Sequence, residues 1–317
     1  MDGFGTGEGW FVLAAITDAM RDRARNHRIG MLRRLVHRLG RIEPIGDDRF
    51  AMEAAIGAFD RVYGGQSLAE AFMAAAATVA SMRRLNSAHC YFLRLGDPAQ
   101  PVTYVVDRLR DTRSFSVRHV RAEQDGQAII TVTFAFAAPT EGIAHQTAMP
   151  DAPPPEDIVP RDVALIARHD GALPKNAGVP WPIDIRHVDQ PPWEPRIGDG
   201  RHRVWMRVDE DLPDDPLLHA CLFLYASDLC MADAVTNQHP IVWEDLIASR
   251  GLFGASLDHG FWLHVPARID RWLLHVQEST VAADGRGYAT GRFFDRAGTL
   301  VASVAQEIFI KEMGESG

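Results

Sequence analysis

Three side chains in the C-terminal half of this sequence have the chemistry to activate a water molecule: the carboxylate of Asp228, the amide of Gln306 and the hydroxyl of Ser256. Asp228 has Leu224 and Tyr225 one turn before it and Met231 and Ala232 one turn after, so a helix here projects its carboxylate from an apolar stripe. A buried carboxylate needs partners or a raised pKa, which would make Asp228 a base or a water anchor. The plainer reading is an Asp bonded to buried backbone, or fraying to solvent beside Ser227. Gln306 is the one polar member of the face Leu300, Ala302, Val304, Gln306, Ile308 and Ile310 that strand alternation creates. Taken alone, it also reads as a core amide bonded to neighbouring backbone. Ser256 shares its even-numbered strand face with Asp258, and which of the two points inward depends on register, because a slip of one residue reverses every side chain. Ser256 is disfavoured as a nucleophile: no Gly-x-Ser-x-Gly elbow surrounds it and no His and Asp pair accompanies it.

The elements that must position these groups occur twice. Gln66 to Ala80, introduced by Gly64-Gly65, is so rich in Ala, Leu, Phe and Met that it reads as a buried helix. Strand-like runs follow at Ser87 to Leu95, Val102 to Leu109, Phe115 to Ala122 and Ala128 to Ala137, with Asp125-Gly126 as a hairpin turn. A second apolar helix, capped by Asp214 or Asp215 and opened by Pro216, runs through Val235. Strand-like Phe253 to Val265, Trp272 to Val281, Tyr288 to Phe294 and Thr299 to Ile310 come after it. The segment His89-Cys90-Tyr91-Phe92-Leu93-Arg94 recurs as His259-Gly260-Phe261-Trp262-Leu263-His264. On this alignment His89 and His259 are equivalent, and both read as structural strand residues. The copies differ where it matters. At the same distance past the turn glycines Gly126 and Gly298, the first copy has Phe134 on an apolar face and the second has Gln306.

Two buried helices, each with an antiparallel sheet long enough to wrap it, predict an α+β fold with the sheets aligned edge to edge. The proline cluster within residues 139–162 reads as the linker, since it suits neither a helix interior nor a central strand. The division is therefore a poorly ordered leader at 1–30, an N-terminal domain at 31–138, the linker, and a C-terminal domain at 163–317 carrying the chemistry. Gly3, Gly5, Gly7 and Gly9 follow no strand, so they read as a flexible tail and not a phosphate loop.

Composition narrows the class. The chain has 317 residues, 46% hydrophobic and 24% charged, enough for two domains with real cores. A formal net charge of -9 argues against nucleic acid and anionic membranes as partners, so a phosphate-bearing ligand needs a local basic cluster. Cys90, Cys221 and Cys230 are odd in number and lack zinc or disulfide spacing, which points to core thiols in a reducing compartment and to no metal centre. The apolar stretch Trp10 to Ile16 is short, acidic Asp2 and Glu8 precede it, and neither a signal peptide nor a membrane span is expected. A cytoplasmic protein follows.

Several ordered blocks resemble the acyl-CoA thioesterase II family of double-hotdog enzymes, over roughly Met31 to Lys311. They include Val62-Tyr63-Gly64-Gly65-Gln66, His89 to Asp97, Leu109 to Arg118, Tyr225-Ala226-Ser227-Asp228-Leu229, Leu257-Asp258-His259 with Trp262, Trp272-Leu273-Leu274, Glu278-Ser279, and Leu300-Val301-Ala302-Ser303 leading to Gln306-Glu307. The resemblance implies two tandem hotdog domains and hydrolysis of fatty acyl-CoA to fatty acid and CoA, with no cofactor. It also implies a site of a helix aspartate, a strand threonine or serine and a late-strand glutamine, which Asp228, Ser256 and Gln306 match; register is thereby taken in favour of Ser256. Serine at that place keeps the hydroxyl but loses the methyl that restrains χ1. The resemblance further implies a backbone N–H polarising the thioester, for which Gly64 and Gly65 are candidates, and arginines for the CoA phosphates, for which Arg94, Arg110, Arg113 and Arg118 are candidates. Open outer sheet edges suggest a homodimer or higher oligomer. One rival is a non-catalytic acyl-CoA sensor, which would be expected to lose the polar triad. Another is a double-hotdog enoyl-CoA hydratase, whose loop histidine is missing from Asp97-Pro98-Ala99-Gln100-Pro101.

Overall fold

The computed structural model describes residues 16–54, 61–80, 82–169, 181–194, 198–241 and 252–312. The first element, α1 (Asp18–Leu39), is capped by Thr17, whose hydroxyl accepts from the Met20 N–H. Its start corrects the sequence expectation that residues up to 30 form a poorly ordered leader; residues 1–15 lie outside the described residues. The reason is a charge that sequence pattern does not expose. Arg28 is buried, with one arm bidentate to Asp162 at 2.7 and 2.6 Å and the other 2.8 Å from Asp209, which fastens the helix to the second half of the chain. Leu32, Leu35 and Leu39 then place an apolar edge of the helix in the core.

Two short strands, β1 (Glu43–Gly46) and β2 (Arg49–Met52), precede the buried helix α2 (Gly64–Ala76). Glu70, in the middle of this apolar helix, is buried because Arg38 (2.6 Å), Gln66 (2.8 Å) and Tyr104 (2.6 Å) all donate to its carboxylate. Strands β3 (Arg84–Phe92), β4 (Val102–Asp111), β5 (Phe115–Gln124) and β6 (Gln127–Ala137) follow, close to the runs that alternation predicts. The proline segment then crosses the second half and is pinned to it by Gln146 with Gly298 and Leu300, and by Trp205 donating to the Pro153 carbonyl.

The second half opens with α3 (Arg161–Arg168), β7 (Ile183–His187) and β8 (Arg201–Val208), none of which the sequence pattern reveals. Helix α4 (Pro216–Ser227) is capped by Asp215, which accepts from Leu217 N–H at 2.9 Å. The second predicted helix is two helices: Cys230 takes a left-handed conformation (φ 68) and α5 (Met231–Thr236) starts after it. The stretch Pro216–Thr236 is long and apolar enough by composition to cross a membrane, but 78% of that window is buried inside the fold. Strands β9 (Leu252–Ser256), β10 (Asp258–Leu263), β11 (Leu273–Ala283), β12 (Arg286–Asp295) and β13 (Leu300–Glu312) complete the half.

All strand pairs are antiparallel, and the order is β1-β2-β4-β5-β6-β3-β10-β13-β12-β11-β8-β7, with β9 also on β13. The halves meet where β3 pairs β10, from Asp258↔Tyr91 to Trp262↔Ser87, which makes one continuous sheet and removes two open edges. On its inner face α2 and α4 pack against each other, close enough for the Cys221 thiol to reach the Ala69 carbonyl at 3.4 Å. This is the double-hotdog architecture.

Candidate active site

Gln306 lies on β13 between Val304 and Ile308, on the face turned to the helices. Its Nε2 donates to Asp228 Oδ1 at 3.0 Å and to Ser256 Oγ at 2.5 Å, so the amide joins the two other candidates into one polar cluster. Gln306 is buried, whereas Asp228 and Ser256 are half-buried, which leaves the acceptor ends of the cluster within reach of solvent. Asp228 is the residue that ends α4, not a mid-helix residue: the break at Cys230 lets its carboxylate leave the helix surface and meet β13.

A β-bulge decides why Ser256 points inward. Strand β9 pairs as Ser256↔Ile308, while β10 pairs as Gly260↔Ala305, so one extra residue is taken up between them around Leu257. Without it, Ser256 and His259 would face opposite sides of the sheet. With it both face inward, and Asp258 is turned aside to accept the Glu307 N–H at 2.7 Å. Strand pairing corrects the equivalence of His89 and His259. His259 lies opposite Cys90 and is buried, whereas His89 lies opposite Gly260, is exposed, and packs edge-on against Trp262 at 5.0 Å. His259 is the functional candidate that pattern reading passed over: its Nδ1 is 2.7 Å from Gln306 Oε1 and its Nε2 is 2.9 Å from Ser227 Oγ.

The first half contributes the opposite wall. The N-terminus of α2 abuts Asp228, since a Cβ added to Gly64 would come within 2.9 Å of Asp228 Oδ2 and 2.7 Å of the Phe92 ring. A Cβ on Gly65 would meet the Tyr225 carbonyl at 2.5 Å. Tyr63, which precedes them, gives the helix no side-chain cap; the Gln66 and Ser67 N–H groups bond its carbonyl, and those of Gly64 and Gly65 lie at the positive end of the helix dipole. Burial, reinforced by the charge of Asp228, pushes the Tyr63 phenol well above its ordinary pKa, and its hydroxyl stays a donor to the Tyr225 carbonyl at 2.9 Å. Burial likewise pushes up the Cys90 thiol beside the site and keeps it inert. Arg61, a second residue that sequence reading missed, donates to the Gly254 carbonyl at 3.0 Å; burial lowers its pKa and the Asp228 charge opposes that. Its one sequence signal is position, immediately before Val62-Tyr63-Gly64-Gly65.

The predicted phosphate-binding arginines separate. Arg94 follows β3 at the Phe92 end, beside the site, and is exposed apart from a bond to the Ala128 carbonyl. Arg110 and Arg113 are exposed at the opposite end, where Phe115 and Arg84 both face Ala137, roughly 25 Å along β3. Arg118 is a correction. It is 1% exposed, and its donors go to Thr78, to both Asp111 oxygens and to the Arg110 and Val117 carbonyls, so none is left for a ligand.

The chain also forms a partly open pocket of about 650 Å³ elsewhere, lined by Asp189, His202, Arg203, Asp233, Gln277 and Arg292 among others. None of Asp228, Ser256 and Gln306 lines it, and size alone does not make it the chemical centre. Among the described residues, His187 forms with His202 and Asp233, which line this pocket, one group with ligand atoms close enough to share a cation. Burial holds both imidazoles below their ordinary pKa, and His187 Nδ1 and His202 Nε2 already satisfy each other at 3.0 Å.

Comparison with known proteins bears on this arrangement. Residues 145–310 match the family model of the acyl-CoA thioesterase C-terminal domain, and residues 54–137 match that of the N-terminal domain. The chain is 34% identical to acyl-coenzyme A thioesterase 8 of Homo sapiens over 85% of its length and 86% of that protein. With acyl-CoA thioesterase 2 of Haemophilus influenzae it shares 33% identity over 89% of its length and 98% of that protein. Among solved structures, the acyl-CoA thioesterase II TesB2 of Mycobacterium marinum superimposes with a TM-score of 0.72 at 31% identity, covering 88% of this chain and 99% of that one.

Proposed function

The chain belongs to the acyl-CoA thioesterase II family and is an acyl-CoA hydrolase, and we propose that it releases CoA through a water molecule positioned by Asp228, Ser256 and Gln306. The observation that carries this reading is the single amide that touches both other groups, at 3.0 and 2.5 Å, with the carboxylate and the hydroxyl still half-buried. The Gln306 amide fixes where the carboxylate and the hydroxyl point, and those two acceptors orient the water. Asp228 takes its proton as the oxygen attacks the thioester carbon. Charge building on the carbonyl oxygen is met by the first-turn N–H groups at Gly64 and Gly65, a helix start to which Tyr63 gives no side-chain cap. Collapse of the tetrahedral intermediate breaks the C–S bond and frees CoA as a thiolate, which recovers a proton; fatty acid is the other product. Ser256 is read as orienting water and not as the nucleophile, because the partner given for its Oγ is an amide N–H, a donor and no general base. Of the four candidate arginines, Arg94 is the one proposed for the CoA phosphates, a reading supported by its exposure and its position two residues beyond Phe92.

The test is release of free thiol from a panel of saturated acyl-CoA esters, followed with a thiol reagent. Wild-type protein turns over part of the panel, and Asp228→Asn and Gln306→Ala each lower kcat by on the order of 10²- to 10³-fold with little change in melting temperature. Background rates across every chain length would leave a non-catalytic acyl-CoA binding protein instead.

A further inference from the structure

We infer that His259, itself held by Ser227, is the positioning residue that fixes the Gln306 amide for catalysis, an inference that rests on the water-activating reading of Asp228, Ser256 and Gln306. A glutamine amide can be turned either way, and only one way works here. A carboxylate offers acceptors only, so the nitrogen must face Asp228 and Ser256, and the oxygen must face the other side. On that side stands His259 Nδ1 at 2.7 Å, which must therefore carry the proton. Turning the amide over would set its oxygen against the Asp228 carboxylate and its NH₂ against a ring N–H. The imidazole tautomer and the amide orientation thus lock each other.

The lock extends one residue further. On the far edge of the ring, Nε2 lies 2.9 Å from Ser227 Oγ, which also bonds the Leu224 carbonyl at 2.9 Å and is thereby fixed to α4. Ser227 is the chain neighbour of Asp228, so the path Asp228, Gln306, His259, Ser227 closes on itself through one peptide bond. Ser227, His259 and Gln306 are 0%, 1% and 2% exposed, so water cannot replace a lost partner. The first half supplies the contrast. There the pair on the corresponding strands is Ala88 opposite Phe134, with no amide to hold and no imidazole to hold it. The imidazole and the amide occur together, and only in the half with the carboxylate.

The experiment compares kcat, KM and melting temperature for His259→Leu, His259→Asn, His259→Gln, Gln306→Ala and the His259→Leu/Gln306→Ala double variant. Leu lowers kcat by about 10²-fold with KM within about twofold, since the water is displaced and substrate binding is not. Asn, whose amide nitrogen can occupy the Nδ1 position, restores the rate to within about tenfold of wild type. Gln, whose amide reaches only the Nε2 position, stays as slow as Leu. A merely structural polar group would be served equally by Asn and Gln. In the Gln306→Ala background, His259→Leu costs little more. A His259→Leu rate close to wild type, or equal rescue by Asn and Gln, overturns the inference while Gln306→Ala remains impaired. A Gln306→Ala variant with the wild-type rate removes the underlying reading as well. Should the Leu variant fail to fold, the Asn and Gln pair decides the matter.

Discussion

At Gly64 the missing side chain is a requirement of the site. The ring of Phe92 and the carboxylate of Asp228 already occupy the space a methyl would take, at 2.7 and 2.9 Å. Gly64→Ala is therefore expected to push the carboxylate away from Gln306, and a displacement near 1 Å is worth up to about 10²-fold in rate. Stopped-assay kinetics with a saturating acyl-CoA checks this: kcat falls by roughly 10- to 100-fold, and an unchanged kcat would place the working carboxylate elsewhere. Glycine at Gly64 was legible in the sequence only as part of a helix opening. Its contact with a residue in the other half of the chain was not, because that contact depends on how α2 and α4 pack.

At the scale of elements, periodicity located the two long helices and most strands, because burying one face of a helix or strand writes a repeat of 3.6 or 2 into the sequence. It failed at the two irregularities that build the site. A bulge around Leu257 and a left-handed residue at Cys230 each break the period that reveals an element, so alternation misplaced His259 and merged α4 with α5. Arg118 shows the same limit for charge. On β5 it reads as a solvated or ligand-binding arginine, yet it is the buried clamp between Thr78, after α2, and Asp111 at the end of β4. Arg118→Leu should accordingly lower the unfolding free energy by about 2–3 kcal/mol in urea titrations, because it strands hydrogen-bonding partners of a charged group. KM for acyl-CoA should stay within about twofold; a large rise in KM with full stability would return Arg118 to the substrate.

Across the whole molecule, the second half carries buried imidazoles that make folding depend on pH. His275 on β11 stacks on Phe293 at 3.8 Å and is fully buried, and burial, with His202 and His259 acting in the same direction, holds it well below the ordinary value of 6.5. Between its depressed folded pKa and 6.5, the unfolded chain binds a proton that the folded chain refuses. Stability from this group is therefore full above 6.5 and declines as pH falls through that window. His275→Leu should make the dependence of unfolding free energy on pH, measured between about pH 5 and 6.5, shallower by up to about 1.4 kcal/mol per unit. Equal slopes in the two proteins would mean that the folded chain takes up this proton as readily as the unfolded one.

Taken by itself, the sequence determined that the chain is a repeat, where the repeat's buried helices and strands lie, and that only the later copy sets polar groups on a core face. Those are consequences of local patterning, which each segment carries alone. Tertiary structure decided the rest: that α1 is anchored through Arg28, that α2 of one half presents its N-terminus to Asp228 of the other, and that a bulge turns Ser256 and His259 to the same side. Each of these joins residues far apart in the chain, and a one-residue slip in pairing or a few ångströms in helix packing would undo it without changing any local pattern.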